Sequence, residues 1–160
     1  MQEIDTPETN LATLQDEANA AGYVIAWGPP THIRKSCQRT GRRTAILIKQ
    51  PHTVNQPHVD PFDTTTPTLI ASGRWVEQRI QVTTSDNVPR TIICASLYGH
   101  SGATTDDQLA IINNALHANA QVRKAQYHSK GTPYYLCTDA NCNPQNCNAI
   151  ISAPLTSPST

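Results

Sequence analysis

Residues 74–98 contain two strand-patterned segments separated by one short polar turn, and nothing else in the chain restricts its fold as strongly. In RWVEQRIQV, residues 74–82, Val76, Ile80 and Val82 fall on one face and Glu77, Arg79 and Gln81 on the other, the period of two that a β-strand imposes. SDNVP supplies turn formers, and TIICASLY, residues 91–98, is apolar enough for a central strand. Together they predict an antiparallel hairpin.

The rest of the chain alternates helix and strand signals around this hairpin. Thr6 before Pro7 reads as an N-cap followed by proline at the first helical position, and Leu11, Leu14 and Ala18 repeat at helical spacing until Gly22, which predicts a helix over 7–20. YVIAW, ending at Trp27, is a short strand closed by Gly28-Pro29-Pro30, and TAILIK, residues 44–49, has the composition of a buried strand. The proline-rich stretch from Pro51 to Pro67 reads as a surface connection. Thr105 and Gln108 form a capping box before a second helix, with Leu109, Ile112 and Leu116 on its apolar face, that runs to Tyr127. Gly131 and Pro133 break it, and PYYLCT, residues 133–138, is a last strand that gives onto Asp139, Ala140 and Asn141.

At 160 residues the chain suits one domain, with a tail from Ala153 too poor in apolar residues to pack. A net charge of zero gives no global field toward nucleic acid or an anionic membrane, so any such attraction is local. No apolar run approaches the roughly eighteen residues of a membrane span, and MQEIDTPETN lacks the basic start and apolar middle of a signal peptide, so the expectation is a soluble, intracellular protein. Five cysteines at irregular spacing, Cys37, Cys94, Cys137, Cys142 and Cys147, point to reduced thiols. The C-x4-C-x4-C run among them offers three ligands where a structural zinc site takes four.

Local charge is concentrated in THIRKSCQRTGRR, residues 31–43, where Arg34, Lys35, Arg39, Arg42 and Arg43 stand without one acidic residue. Such a stretch is either a solvated loop or a contact for a phosphate backbone or another polyanion. Two carboxylates, Glu3 and Asp139, stand where strands meet loops, and a hard divalent cation takes one or two such oxygens in phosphate chemistry. With Gln2, Tyr98 in SLYGHSGA and Asn141, three strand ends carry polar groups that an open α/β sheet would gather at one edge. His100, close to Tyr98, is a substrate-contact candidate beside its blander reading as a solvated loop histidine.

In order and spacing these residues resemble the endonuclease/exonuclease/phosphatase superfamily, DNase-I-like metal-dependent phosphoesterases. Gln2-Glu3 matches the family's Gln-Glu at a strand end, Gly22-Tyr23 its Gly-Tyr strand, and GRRTAILIK its glycine-preceded strand. GRWVEQRIQV and TIICASLYGHSGA match its strand pair, and Asp139 and Asn141 match its Gly-Asp-Phe-Asn, with Thr138 and Ala140 in place of the Gly and Phe. The resemblance implies an α/β (α+β) fold, a two-layer β-sandwich flanked by helices, with residues 1–150 as a partial domain and 151–160 as a frayed tail. It implies Mg²⁺ or Mn²⁺ on Glu3, a water oriented or deprotonated by Asp139, and hydrogen bonds from Asn141 and Tyr98 to phosphoryl oxygens. Arg34, Lys35, Arg39, Arg42, Arg43 and His100 would contact the substrate.

The activity so implied is hydrolysis of a phosphate ester, with DNA and RNA among the candidate substrates and with no membrane and no protein partner inferred. The family also has an Asn-bearing strand before the Gln-Glu motif, and Ser-Asp-His and Asp-His elements after Asp-x-Asn. The chain begins at the first motif and stops soon after the second, so weak or absent turnover is expected. The other function class is a non-catalytic anion- or nucleic-acid-binding module that uses the segment from Arg34 to Arg43.

Overall fold

The computed structural model describes residues 8–29, 44–55, 63–100 and 106–139. A 3-10 turn at Glu8–Asn10 leads into α1 (Leu11–Ala20), where Leu11, Leu14 and Ala18 are half-buried on one face, as their spacing predicts. The cap expected at Thr6 lies outside the described residues. Gly22 ends the helix at φ 80°, a left-handed conformation that a side chain would strain. The chain then turns directly into β1 (Tyr23–Trp27).

β1 pairs antiparallel with β2 (Ala45–Lys49), with Trp27 opposite Ala45 and Tyr23 opposite Lys49. Ala45 and Ile48 are buried, but Leu47 is 40% exposed, so β2 is only half covered rather than buried throughout. The reason is topological: β1 and β2 form a two-stranded sheet with one face outward.

The proline-rich stretch holds more than a surface connection, since β3 (Thr53–Asn55) and the beginning of α2 (Thr65–Ala71) lie within it. Pro67 falls in the first turn of α2, where its missing N–H has no intrahelical partner to lose. Asp63 does the capping: its Oδ1 accepts the backbone N–H of Thr65 at 2.9 Å and of Thr66 at 3.3 Å.

The hairpin forms as predicted from β4 (Trp75–Thr83) and β5 (Pro89–Tyr98), with Trp75 opposite Leu97 and Thr83 opposite Pro89. α3 (Asp106–His128) carries the chain back to β6 (Tyr134–Asp139), which runs parallel to β5 and gives the sheet order β3-β4-β5-β6. β5 is therefore central. One face of the larger sheet packs Trp75, Ala95 and Leu97 against Leu69 of α2 and Leu116 and Ala120 of α3. The other packs Ile80 against Ala26 and Ile48 of the small sheet. With both faces covered, β4 buries Glu77 and Gln78 along with Trp75 and Val76.

α3 departs from its expected apolar face. Leu116 is buried, but Ile112 is 42% exposed and Ile111 69%. The buried stripe is Asn113, Leu116, His117, Ala120, Arg123 and Tyr127, which keeps helical spacing but mixes polar with apolar side chains. Among the described residues no helix is long and apolar enough to cross a membrane.

Candidate functional site at the ends of β5 and β6

β5 and β6 finish side by side, and their last residues, Tyr98 and Asp139, are direct register partners. Strand alternation puts Tyr98 on the face of Cys94 and Ser96, and Asp139 on that of Tyr135 and Cys137, toward the small sheet. The ladder continues one residue further, because the Gly99 N–H donates to the Asp139 carbonyl at 2.7 Å. The spacing of the two groups is thus fixed by main-chain bonds.

Arg74, just before β4, ties the other side of this end. Its carbonyl accepts the Tyr98 N–H at 3.0 Å, and its Nη1 donates to the Gly99 carbonyl at 3.3 Å. Its guanidinium lies 5.4 Å from the centroid of the Tyr98 ring, within cation–π range. His100 is held by α3: the Asn113 Oδ1 accepts the His100 N–H at 2.7 Å, and the Asn113 Nδ2 donates to the His100 carbonyl at 3.1 Å. Burial pushes the His100 imidazole below its usual range, and the charge of Arg74 adds to the shift.

The small sheet meets the large one at this same end. The Gly28 N–H donates to the Thr44 carbonyl at 2.7 Å, and a Cβ on Gly28 would come within 3.0 Å of the Trp75 carbonyl oxygen. A side chain there would press on backbone oxygens on both sides, so glycine favours the close approach. Pro29 and Thr44, the described residues nearest the basic segment 31–43, are therefore beside the start of β4.

Of the residues expected at a site, Tyr98, His100 and Asp139 come together here. Glu3, Asn141, Arg34, Lys35, Arg39, Arg42 and Arg43 lie outside the described residues. Arg74 and Asn113 are additions. The signal for Arg74 was its place one residue before a strand whose partner ends at Tyr98; that for Asn113 was its helical spacing from Leu116 and Ala120.

A second polar cluster lies between β4 and α3. Arg123 Nη2 donates to Glu77 Oε1 at 2.9 Å and Nη1 to Asp63 Oδ2 at 2.9 Å, with all three residues at least nine-tenths buried. The hydroxyls of Tyr127 and Tyr134 donate to Glu77 at 3.2 and 2.9 Å. Burial raises the Asp63 carboxyl, but the hydroxyl and amide hydrogen bonds of Thr65 and Thr66 outweigh it and hold the group well below the usual carboxylate range. Burial opposes the Arg123 charge, and Glu77 more than restores it. Burial and the neighbouring Glu77 push the Tyr134 hydroxyl far upward. Fully hydrogen-bonded and charged, this cluster is a structural clamp.

Among the described residues no three His, Cys, Asp or Glu side chains converge as a metal site. Cys94 and Cys137 are free thiols, while Cys37, Cys142 and Cys147 lie outside the described residues.

No protein-family model matches the sequence, and no curated protein matches it. The mixed α/β architecture, two packed sheets with helices on the outer face of the larger, is nonetheless shared with solved structures. The chain is similar to the human Nocturnin catalytic domain, solved with bound sulfate anion, with a TM-score of 0.59 at 14% identity over 95% of this chain and 54% of that one. It is also similar to ANGEL2, a 2′,3′-cyclic phosphatase solved with adenosine-2′,3′-vanadate, with a TM-score of 0.48 at 17% identity over 89% of this chain and 39% of that one. The chain spans about half the length of the Nocturnin domain.

Proposed function

We propose that this chain is a phosphoesterase-like domain, residues 1–150, whose chemistry is centred on the joined ends of β5 and β6. The observation that carries this reading is the register pairing of Tyr98 with Asp139, which puts a hydroxyl donor and a carboxylate on one face of adjacent parallel strands. The likeness of fold to the Nocturnin catalytic domain supports it.

In this reading Asp139 orients the attacking water and takes its proton, and the Tyr98 hydroxyl donates to a phosphoryl oxygen as charge builds there. Arg74 holds the Tyr98 ring and adds positive charge to the same edge. His100, whose protonation burial and Arg74 disfavour, would donate or accept one hydrogen bond at the substrate. Asn141 would add a second donor. Glu3 is the proposed ligand, since a hard carboxylate oxygen suits Mg²⁺ or Mn²⁺. When bound, the cation supplies charge neutralisation at the phosphoryl group and the leaving oxygen.

A second reading is favoured by the position of Pro29 and Thr44 beside the start of β4. The basic residues from Arg34 to Arg43 would then bind a polyanion, DNA or RNA, without chemistry. Fluorescence anisotropy with a labelled single strand separates the two. Binding that falls steeply with salt, weakens in an Arg42→Ala/Arg43→Ala variant and ignores Asp139→Ala supports the module alone. Mg²⁺-dependent cleavage lost in Glu3→Ala and Asp139→Ala supports the phosphoesterase.

A further inference from the structure

We propose that the outward face of α3 is a self-association surface, on which two copies of this chain pair antiparallel. The inference is independent of the strand-end chemistry.

A helix on the outside of a domain ordinarily buries its apolar stripe and turns its charges to water. α3 does the reverse over much of its length. It buries Asn113, His117 and Arg123, while Ile111, Ile112 and Val122 stand 69%, 42% and 48% exposed. Ala115, Ala118 and Ala125 are exposed as well. Asp107 and His128 are exposed near the two ends, and between them the charged residues are Arg123, which is buried, and Lys124. The outward side therefore lacks the charge that contact with solvent alone would favour.

These exposed apolar residues are ordered. Ile111, Ala115, Ala118, Val122 and Ala125 follow one another at steps of four, three, four and three residues, the heptad seam by which one helix meets another. Surface apolar residues scattered singly need no partner. A seam of about 21 Å held to one side of a helix marks an interaction surface.

The seam identifies its occupant by matching itself. Laid antiparallel on a second copy, with the two-fold axis at the level of Leu116 and His117, Ile111 faces Val122 of the second copy and Ala115 faces its Ala118. Branched side chains then meet at both ends, and the alanines between them let the two backbones approach closely. Charge agrees with this arrangement: Asp107 of each copy lies level with the exposed basic end of the other, from Lys124 to His128. Each positive helix N-terminus also lies beside a negative C-terminus. A parallel pair would set Asp107 beside Asp107 and lose both terms. A membrane surface fits less well, because an interfacial helix carries large apolar groups with many Lys and Arg around them, and this face has alanines and Lys124.

One helix pair is small beside the roughly 1,600 Å² of a standard interface, so the dimer is expected to be weak and to dissociate on dilution. Sedimentation equilibrium of the whole chain over a concentration series reads this directly, and a monomer–dimer equilibrium is expected. Ala118→Glu, at an exposed position where glutamate keeps good helix propensity, should weaken the dimer by about tenfold or more with the urea midpoint unchanged. Asp107→Lys and His128→Glu should each weaken it, and the two together should restore it, because the exchanged charges meet again only in an antiparallel pair. A folded chain that stays monomeric at every concentration, including one that binds lipid vesicles instead, overturns the proposal. So does a dimer indifferent to Ala118→Glu, or one that the double exchange leaves weakened.

Discussion

Arg123 of α3 and Glu77 of β4 meet inside the fold at 2.9 Å, at 4% and 8% exposure, and Asp63 closes the group from the start of α2. Three elements that the sequence brings from distant positions are thereby locked to one guanidinium. A buried pair adds little over a well-packed apolar one, but removing one partner strands the other charge.

Arg123→Met should therefore cost about 3–5 kcal/mol in urea denaturation, because Glu77 and Asp63 are left buried together without a cation. Arg123→Lys keeps the charge but loses the planar fork, and its loss should be intermediate. A cost of Arg123→Met below about 1 kcal/mol would show that the clamp does not hold α3 to the sheet.

Stability should also fall on the acid side through His117. This side chain is 1% exposed, its Nε2 has no partner, and burial lowers its pKa. The unfolded chain then binds a proton at a higher pH than the folded one. Stability is full above the unfolded value of about 6.5 and declines as pH falls below it toward the folded value. Urea midpoints at neutral and mildly acid pH should differ for the natural chain and converge in His117→Gln. Asp63, held below its ordinary value, adds a further loss only below about pH 4.

Asn113→Ala should loosen the strand-end site more than it unfolds the domain. It removes both hydrogen bonds to the His100 backbone, at 2.7 and 3.1 Å, and leaves those groups part-buried. The expected cost is about 1–3 kcal/mol, with faster amide exchange at His100 than in the body of β5. Uniform exchange changes across β4 and β5 would refute a local role.

Arg74→Met should shift the titration of His100 upward, since the charge that opposes its protonation is gone. Arg74→Lys should restore most of the shift but not the packing on Tyr98. NMR titration of the imidazole checks both.

The strands were legible in the sequence where one pattern governed each residue. The hairpin of β4 and β5 and the strand at Tyr23–Trp27 follow from period-two patterning, whereas the register that sets Tyr98 opposite Asp139 appears only once β6 is seen to run parallel to β5. α2 was hidden because Pro67 reads as a breaker unless it is known to fall in a first turn. The face of α3 was placed only in part because Ile112 looks like core, whereas Asn113, His117 and Arg123 are buried beside Leu116. Asn113 and Arg123 bury polarity only because of partners at positions 100, 77 and 63, which the sequence does not display. Arg74 needed the register of β4 on β5 before its place beside Tyr98 appeared.

The measurement that bears most directly on the strand-end account is Mg²⁺-dependent hydrolysis of an activated phosphodiester by the chain, compared with Asp139→Asn and Tyr98→Phe. The account predicts slow, metal-dependent turnover that falls by about 10²-fold or more in Asp139→Asn and by a smaller factor in Tyr98→Phe, with urea midpoints preserved. Metal-dependent turnover that is indifferent to Asp139→Asn would contradict it.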